Sequence, residues 1–283
     1  MTSMTSGPDD DFESVRIDPD PIRRGRRATE LLTVYQQRAA ELARLRKTAI
    51  DEAHREQGLS YTQIAALLGI TKGRITQIRT SAPREERAFF GIGPVAVGIP
   101  YRYRTTDRER PLVAAEDFET GEQMERLLAN LAFAVTRYQI DPEREHPEEG
   151  DSVVICGPKS APIGAHLLSR DPALTIEEEH GRWWVKNRST AELLGSPSDD
   201  DSSEDADIAY VARHRFTDRV IVHIAGIHAI GSLGAADYLT SHLADVSREV
   251  EDRSCSFAVR ASYEGLHITG NELAAGPYFW EAS

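Results

Sequence analysis

The chain has 283 residues, 40% hydrophobic and 28% charged, with two cysteines and a net charge of −13 at pH 7. That length buries a full core without metal or disulfide staples, and two isolated cysteines build neither a zinc finger nor a disulfide framework. No apolar stretch is long enough to cross a bilayer, so the sequence predicts a soluble protein of the cytoplasm with no membrane partner. The acidic total argues against a nucleic-acid binder until it is divided along the chain. Residues 1–20 hold one arginine against six acids (−5), residues 21–80 hold twelve Lys/Arg against five acids (+7), and residues 81–283 hold twenty against thirty-five (−15). The basic charge is concentrated in one segment, and an acidic body repels DNA elsewhere.

Residues 1–27 read as a disordered tail, acidic at first and then basic through Arg23, Arg24, Arg26 and Arg27. The polar, acidic first residues have the pattern of neither a secretory signal nor an anchor. A helix is expected over 29–57, capped by Thr29 and ended by Gly58. Leu31, Leu32, Tyr35, Leu42, Leu45, Ala49 and Ala53 recur along it at three- and four-residue spacing. Tyr35, Leu42 and Ala49 repeat at seven residues, which predicts a seam for a homodimer.

Residues 60–79 read as a helix-turn-helix. Ser60 with Gln63 makes a capping box. Ile64, Ala65 and Leu68 form the inner face of the first helix, and Gly69 makes the turn. Ile70 plugs the gap between the helices, and Thr71 caps a second helix whose Ile75 and Ile78 pack back on the first. Thr71, Lys72, Arg74, Thr76, Gln77 and Arg79 are then left facing outward as candidate DNA contacts. Arg and Lys suit guanine, Gln suits adenine, and Arg79 is placed to meet phosphate. The reading is an all-α helix-turn-helix domain over residues 28–90.

From residue 91 the pattern is α/β. Strands are expected at 95–99, 112–115, 152–156, 183–186, 208–213, 220–225 and 256–261, and helices at 120–138, 161–168 and 233–246. Together they predict an α/β sandwich with a largely parallel sheet over residues 91–283. Two strand-to-helix junctions carry glycines and hydroxyls: Gly157, Lys159 and Ser160, and Gly226, His228, Gly231 and Ser232. Free N–H groups and a helix dipole collect at such junctions, so these seven residues are the candidate ligand site for an anion. Neither junction matches a specific phosphate or dinucleotide fingerprint, and tight turns plus helix caps explain the same residues. His223 and Cys156 read as core residues, and Trp183-Trp184 as core and cover. The acidic run 196–207 reads as a loop. No catalytic set, metal ligand set or cofactor motif is visible. Glu116, Asp117, Asp237 and the histidines are the acid/base groups at hand.

The segment 29–80, on the strength of Ser60, Gln63, Gly69, Ile70, Thr71, Ile75 and Ile78, resembles the helix-turn-helix of the promoter-reading fourth region of bacterial sigma factors. That resemblance implies base readout by Thr71, Lys72, Arg74, Thr76 and Gln77. The C-terminal segment loosely resembles Rossmann-like nucleotide-binding sensor domains. Together they imply a transcriptional regulator that reads double-stranded DNA and senses a small anionic or nucleotide ligand. Two alternatives stay open at this stage: a nucleotide-processing enzyme tethered to DNA, and a C-terminal domain used only for oligomerisation.

Overall fold

A computed structural model of the chain describes residues 8–105, 109–200 and 204–281. The chain is mixed α/β and divides into two compact units, Met1–Pro83 and Arg84–Ser283.

The described residues of the first unit form α1 (Pro8–Arg16), α2 (Pro21–Glu56), α3 (Tyr61–Leu67) and α4 (Lys72–Ser81). The tail expected to be disordered over 1–27 is therefore helical in part, its residues 1–7 lying outside the described ones. The long helix begins at Pro21 rather than at Thr29, and Asp20 is the reason. Its Oδ1 accepts the Ile22 N–H at 2.9 Å and the Arg23 N–H at 3.3 Å, and Pro21 fits a first turn that needs no N–H partner. Thr29 lies inside α2, its hydroxyl donating to the Gly25 carbonyl at 3.0 Å. Buried Asp18 accepts Arg23 Nε at 2.6 Å and Nη2 at 2.8 Å, and the Arg23 guanidinium holds its carboxyl down at about 2. Arg27 stands 3.8 Å from the same carboxylate. Arg24 Nη1 donates to the Asp18 carbonyl at 3.2 Å, so three arginines of the basic run are drawn to Asp18. The Phe12 ring lies 5.4 Å from that of Tyr35, packing α1 on α2.

The second unit opens with a 3₁₀ turn, Glu85–Phe90, whose Phe89 and Phe90 are buried in the C-terminal core. The division of the chain consequently falls at Pro83 and not at residue 90. β1 (Val95–Pro100) follows, then a hairpin of β2 (Arg102–Thr105) and β3 (Glu109–Leu112), α5 (Ala115–Asn130), β4 (Val135–Ile140), β5 (Asp151–Ile155) and α6 (Pro162–Leu168). A three-stranded meander, β6 (Leu174–Glu179), β7 (Arg182–Asn187) and β8 (Leu193–Gly195), leads into β9 (Ala206–Arg215) and β10 (Val220–Gly226). The chain ends with α7 (Ala229–Val250), β11 (Ser254–Glu264) and β12 (His267–Trp280).

Seven strands form one sheet in the order β12-β11-β9-β10-β5-β1-β4. β4, β1, β5 and β10 run parallel, whereas β10, β9, β11 and β12 pair antiparallel. The expected largely parallel sheet is therefore mixed. The links between β9 and β10 and between β11 and β12 are too short for a crossover, so those pairs must run antiparallel. The helix expected over 120–138 stops at Asn130. Ala132 takes a positive φ of 60°, and the β-branched, alternating residues after it form β4.

The sheet is covered on both faces. α5 and α7 pack Met124, Leu128 and Leu239 against Val97, Val153, Val211 and Val222. On the other face α6 sets Ile163 and Leu167 on Val154 and Ile221, and the meander sets Ile176 and Val185 on Tyr210 and Ala212. β5 is buried at every residue, as a central strand with two covered faces must be. No helix among the described residues is long and apolar enough to cross a membrane.

Candidate functional site

In the first unit, Ser60 Oγ accepts the Gln63 N–H at 3.3 Å and Gln63 Oε1 accepts the Ser60 N–H at 2.9 Å, closing the capping box of α3. Gly69 turns the chain at φ 66°, a conformation cheap only for glycine. Thr71 Oγ1 then accepts the Arg74 N–H at 3.1 Å and caps α4. Ile64 and Ala65 of α3, Ile75 and Ile78 of α4 and Ile50 of α2 form one buried cluster, with Leu59 and Ile70 packed against it. Leu68, expected inside, is 51% exposed because it is the C-cap of α3, beyond the last turn facing α4.

The outer face of α4 carries Lys72, Gly73, Arg74, Thr76 and Gln77, all exposed. Arg74 Nη1 donates to Gln77 Oε1 at 2.6 Å. The other guanidinium N–H groups and the Gln77 amide N–H₂ remain as donors on one surface. Arg79 differs from them. Its Nε donates to Asp51 Oδ1 at 2.7 Å and its guanidinium lies 4.5 Å over the Tyr61 ring, so it ties α4 to α2 and α3. The Thr71 hydroxyl is likewise engaged as the cap.

In the second unit the two glycine-bearing loops do meet, since Lys159 Nζ donates to the Ile227 carbonyl. They meet around an anion that the chain supplies itself. Asp207, at the start of β9, has a fully buried side chain, and its Oδ2 accepts the His228 and Gly231 N–H groups at 2.9 Å each. The α7 N-terminus expected to receive a ligand is therefore filled. Gly231 is glycine because a Cβ there would sit 2.4 Å from Asp207 Oδ2, and Gly226 because a Cβ would sit 2.0 Å from the His228 carbonyl oxygen. Buried Ser232 accepts the Gly226 N–H at 2.9 Å through Oγ. Gly164 lets α6 approach the loop, since a Cβ there would sit 2.6 Å from the Gly157 carbonyl carbon, whereas a Cβ at Gly157 would meet nothing nearer than 3.9 Å. The Ser160 N–H closes a turn on the Gly157 carbonyl at 3.0 Å.

Charge around Asp207 is matched. His228 places Nδ1 3.3 Å from Asp207 Oδ1 and Nε2 3.2 Å from Asp199 Oδ1, and its hydrogen bond with Asp207 raises its pKa. Burial pushes the Lys159 ammonium down, Asp207 and Asp199 oppose that, and its Nζ lies 5.1 Å over the Trp183 ring. His223 is fully buried, with Nε2 2.7 Å from the Cys156 carbonyl, which makes it a core residue. Asp237 accepts from Asn271 Nδ2 at 2.5 Å.

The open space lies beside this cluster. A cleft of about 530 Å³ runs between the start of α5 and the start of α7, lined by Arg102, Tyr103, Leu112, Glu116 and Ala229 among others. It sits at the carboxyl ends of the parallel strands, where open α/β sheets bind their ligands. Next to its wall, Asp117 is buried at 6% exposure, and burial pushes its carboxyl up to about 6. Sequence reasoning named Asp117 only as a generic acid and passed over Arg102. The signal within reach was position, Arg102 following the end of β1 and Asp117 lying in the first turn of α5. A search of protein-family models, curated proteins and solved structures finds no match to the chain.

Proposed function

We propose that this protein is a DNA-binding transcriptional regulator of the cytoplasm that reads a specific duplex site through α3 and α4, in the manner of the sigma-factor promoter reader, with α4 in the major groove. The observation that carries the reading is the exposed Lys72–Arg74–Gln77 surface, held on a helix capped by Thr71 and backed by the buried cluster of Ile64, Ile75 and Ile78. Arginine bidentate to guanine and glutamine to adenine are the pairings that surface suits, each worth about 1–3 kcal/mol of discrimination. The segment charge of +7 over residues 21–80 supplies attraction to phosphate. Arg79 acts by holding α4 in place.

The C-terminal unit, with its parallel strands and their carboxyl-edge loops acting as a Rossmann-like half, senses a small anionic ligand. A single helix-turn-helix reads few base pairs, so such modules work in pairs. Exposed Leu42 and Ala49 on α2 offer the seam for a homodimer, while Tyr35 is engaged with Phe12. Anisotropy titration of duplex pools with the full chain tests the reading. Sequence-dependent binding that Arg74→Ala with Gln77→Ala removes supports it, and unchanged binding by that variant refutes it.

A further inference from the structure

We propose that Arg74 and Gln77 read DNA as one bonded unit that offers donors only, and that the unit selects two consecutive guanines on one strand instead of a guanine beside an adenine. The inference rests on the reading of α4 as the helix in the major groove. Taken one residue at a time the surface suits guanine and adenine, but taken as a bonded pair it suits acceptors alone.

The pair is joined by the hydrogen bond from Arg74 Nη1 to Gln77 Oε1 at 2.6 Å, between side chains three residues apart on one exposed face of α4. A guanidinium has no acceptor, so the amide atom turned to it must be the oxygen. The Gln77 amide therefore has its oxygen engaged and its N–H₂ left to donate. A glutamine without such a partner reads adenine with both atoms, the oxygen accepting from N6–H₂ and the nitrogen donating to N7. Here that would exchange a bond from a charged donor for one from a neutral donor, and charge-assisted bonds are about twice as strong. Guanine asks for no exchange, because its O6 and N7 are both acceptors open to the amide N–H₂. Arg74 keeps its remaining N–H groups for a neighbouring guanine, and its charge stays whole because its partner is a neutral amide. Lys72, exposed on the same helix, adds three donors and no acceptor. Thymine offers O4 and ranks second at the Gln77 position, whereas cytosine turns an N4–H₂ donor toward the pair and ranks last. The backbone beneath the pair is fixed. Thr71 Oγ1 accepts the Arg74 N–H at 3.1 Å, and Ile75 and Ile78, the residues that follow Arg74 and Gln77, are buried.

The experiment is selection from randomised duplexes by the full chain, with enriched sites confirmed by anisotropy, for wild type, Gln77→Ala and Arg74→Ala. The base met by Gln77 is the position whose preference Gln77→Ala abolishes. Wild type should prefer guanine there over adenine by about tenfold, beside a second guanine whose preference Arg74→Ala abolishes. Arg74→Ala releases Gln77 Oε1, so the preference at the Gln77 position should pass from guanine to adenine. Loss of a positive charge alone weakens binding to all sequences and does not change which base is chosen. The variant keeps the backbone N–H that Thr71 caps, and its thermal unfolding should match that of wild type. An adenine preference at the Gln77 position in wild type, no position that Gln77→Ala affects, or anything but an adenine preference there in Arg74→Ala overturns the inference and leaves the DNA-reading assignment standing. If wild type enriches no sequence at all, that assignment fails and the inference with it.

Discussion

Asp207→Ala probes the main correction that the structure makes to the sequence reading. The carboxylate accepts two backbone N–H groups at 2.9 Å each, and its side chain has no exposed surface. Truncation leaves the His228 N–H without a partner, at about 1–3 kcal/mol, while the Gly231 N–H keeps the His228 carbonyl at 3.1 Å. It also removes a negative charge from a helix N-terminus, worth about 1–2 kcal/mol in a buried setting. The expected loss is about 2–5 kcal/mol, measured as a shift of the urea midpoint at unchanged slope. Because the vacated space is an anion site, formate should restore part of the lost stability in Asp207→Ala and none in wild type. A variant within about 1 kcal/mol of wild type would refute the claim that Asp207 completes the α7 N-terminus.

His214 and His223 are buried on β9 and β10, and burial holds them down at about 3 and about 4. Each takes up its proton on unfolding, so the associated stability is whole above pH 6.5 and falls as pH drops below it. At pH 5 that is about 2 kcal/mol per ring. His214→Phe should halve the loss contributed by the pair between pH 7.5 and 5, read by denaturant unfolding, and a pH dependence equal to that of wild type would contradict the argument. Gly73 has room for a methyl group, which would meet only Thr71 Oγ1 at 3.9 Å, so Gly73→Ala should stabilise the first unit by about 1 kcal/mol in thermal melts. The same variant should bind duplex DNA more weakly by anisotropy, because the methyl stands on the face turned to the groove.

The parts legible in the sequence were those set by local chemistry. Ser60, Gln63, Gly69 and Thr71 each do their work within four residues of themselves, so caps and turn could be placed without a fold. Asp20 was missed because Thr29 offered an equally plausible cap and the acidic run before it read as disorder. β4 was missed because the apolar residues on either side of Ala132 continue at helix-compatible spacing, and only the positive φ there breaks the pattern. The antiparallel half of the sheet depends on which strands become neighbours, a property of topology that periodicity does not encode. For the site, residues 157–160 and 226–234, expected to converge on one ligand, are joined by the Lys159–Ile227 hydrogen bond. The sequence could not show that Asp207, distant in sequence and embedded in an acidic run, would take the N–H groups they present. Arg79 was misread for a similar reason, since its partners Asp51 and Tyr61 lie on other helices.

Selection from a pool of randomised duplexes by the wild-type chain, repeated with the Arg74→Ala, Gln77→Ala variant, tests the central claim most directly. Wild type should enrich a defined site, while the variant should retain salt-sensitive binding and enrich none at the positions those side chains read. Failure of wild type to enrich any sequence, or enrichment of the same site by the variant, would contradict the assignment of α4 as the reading helix.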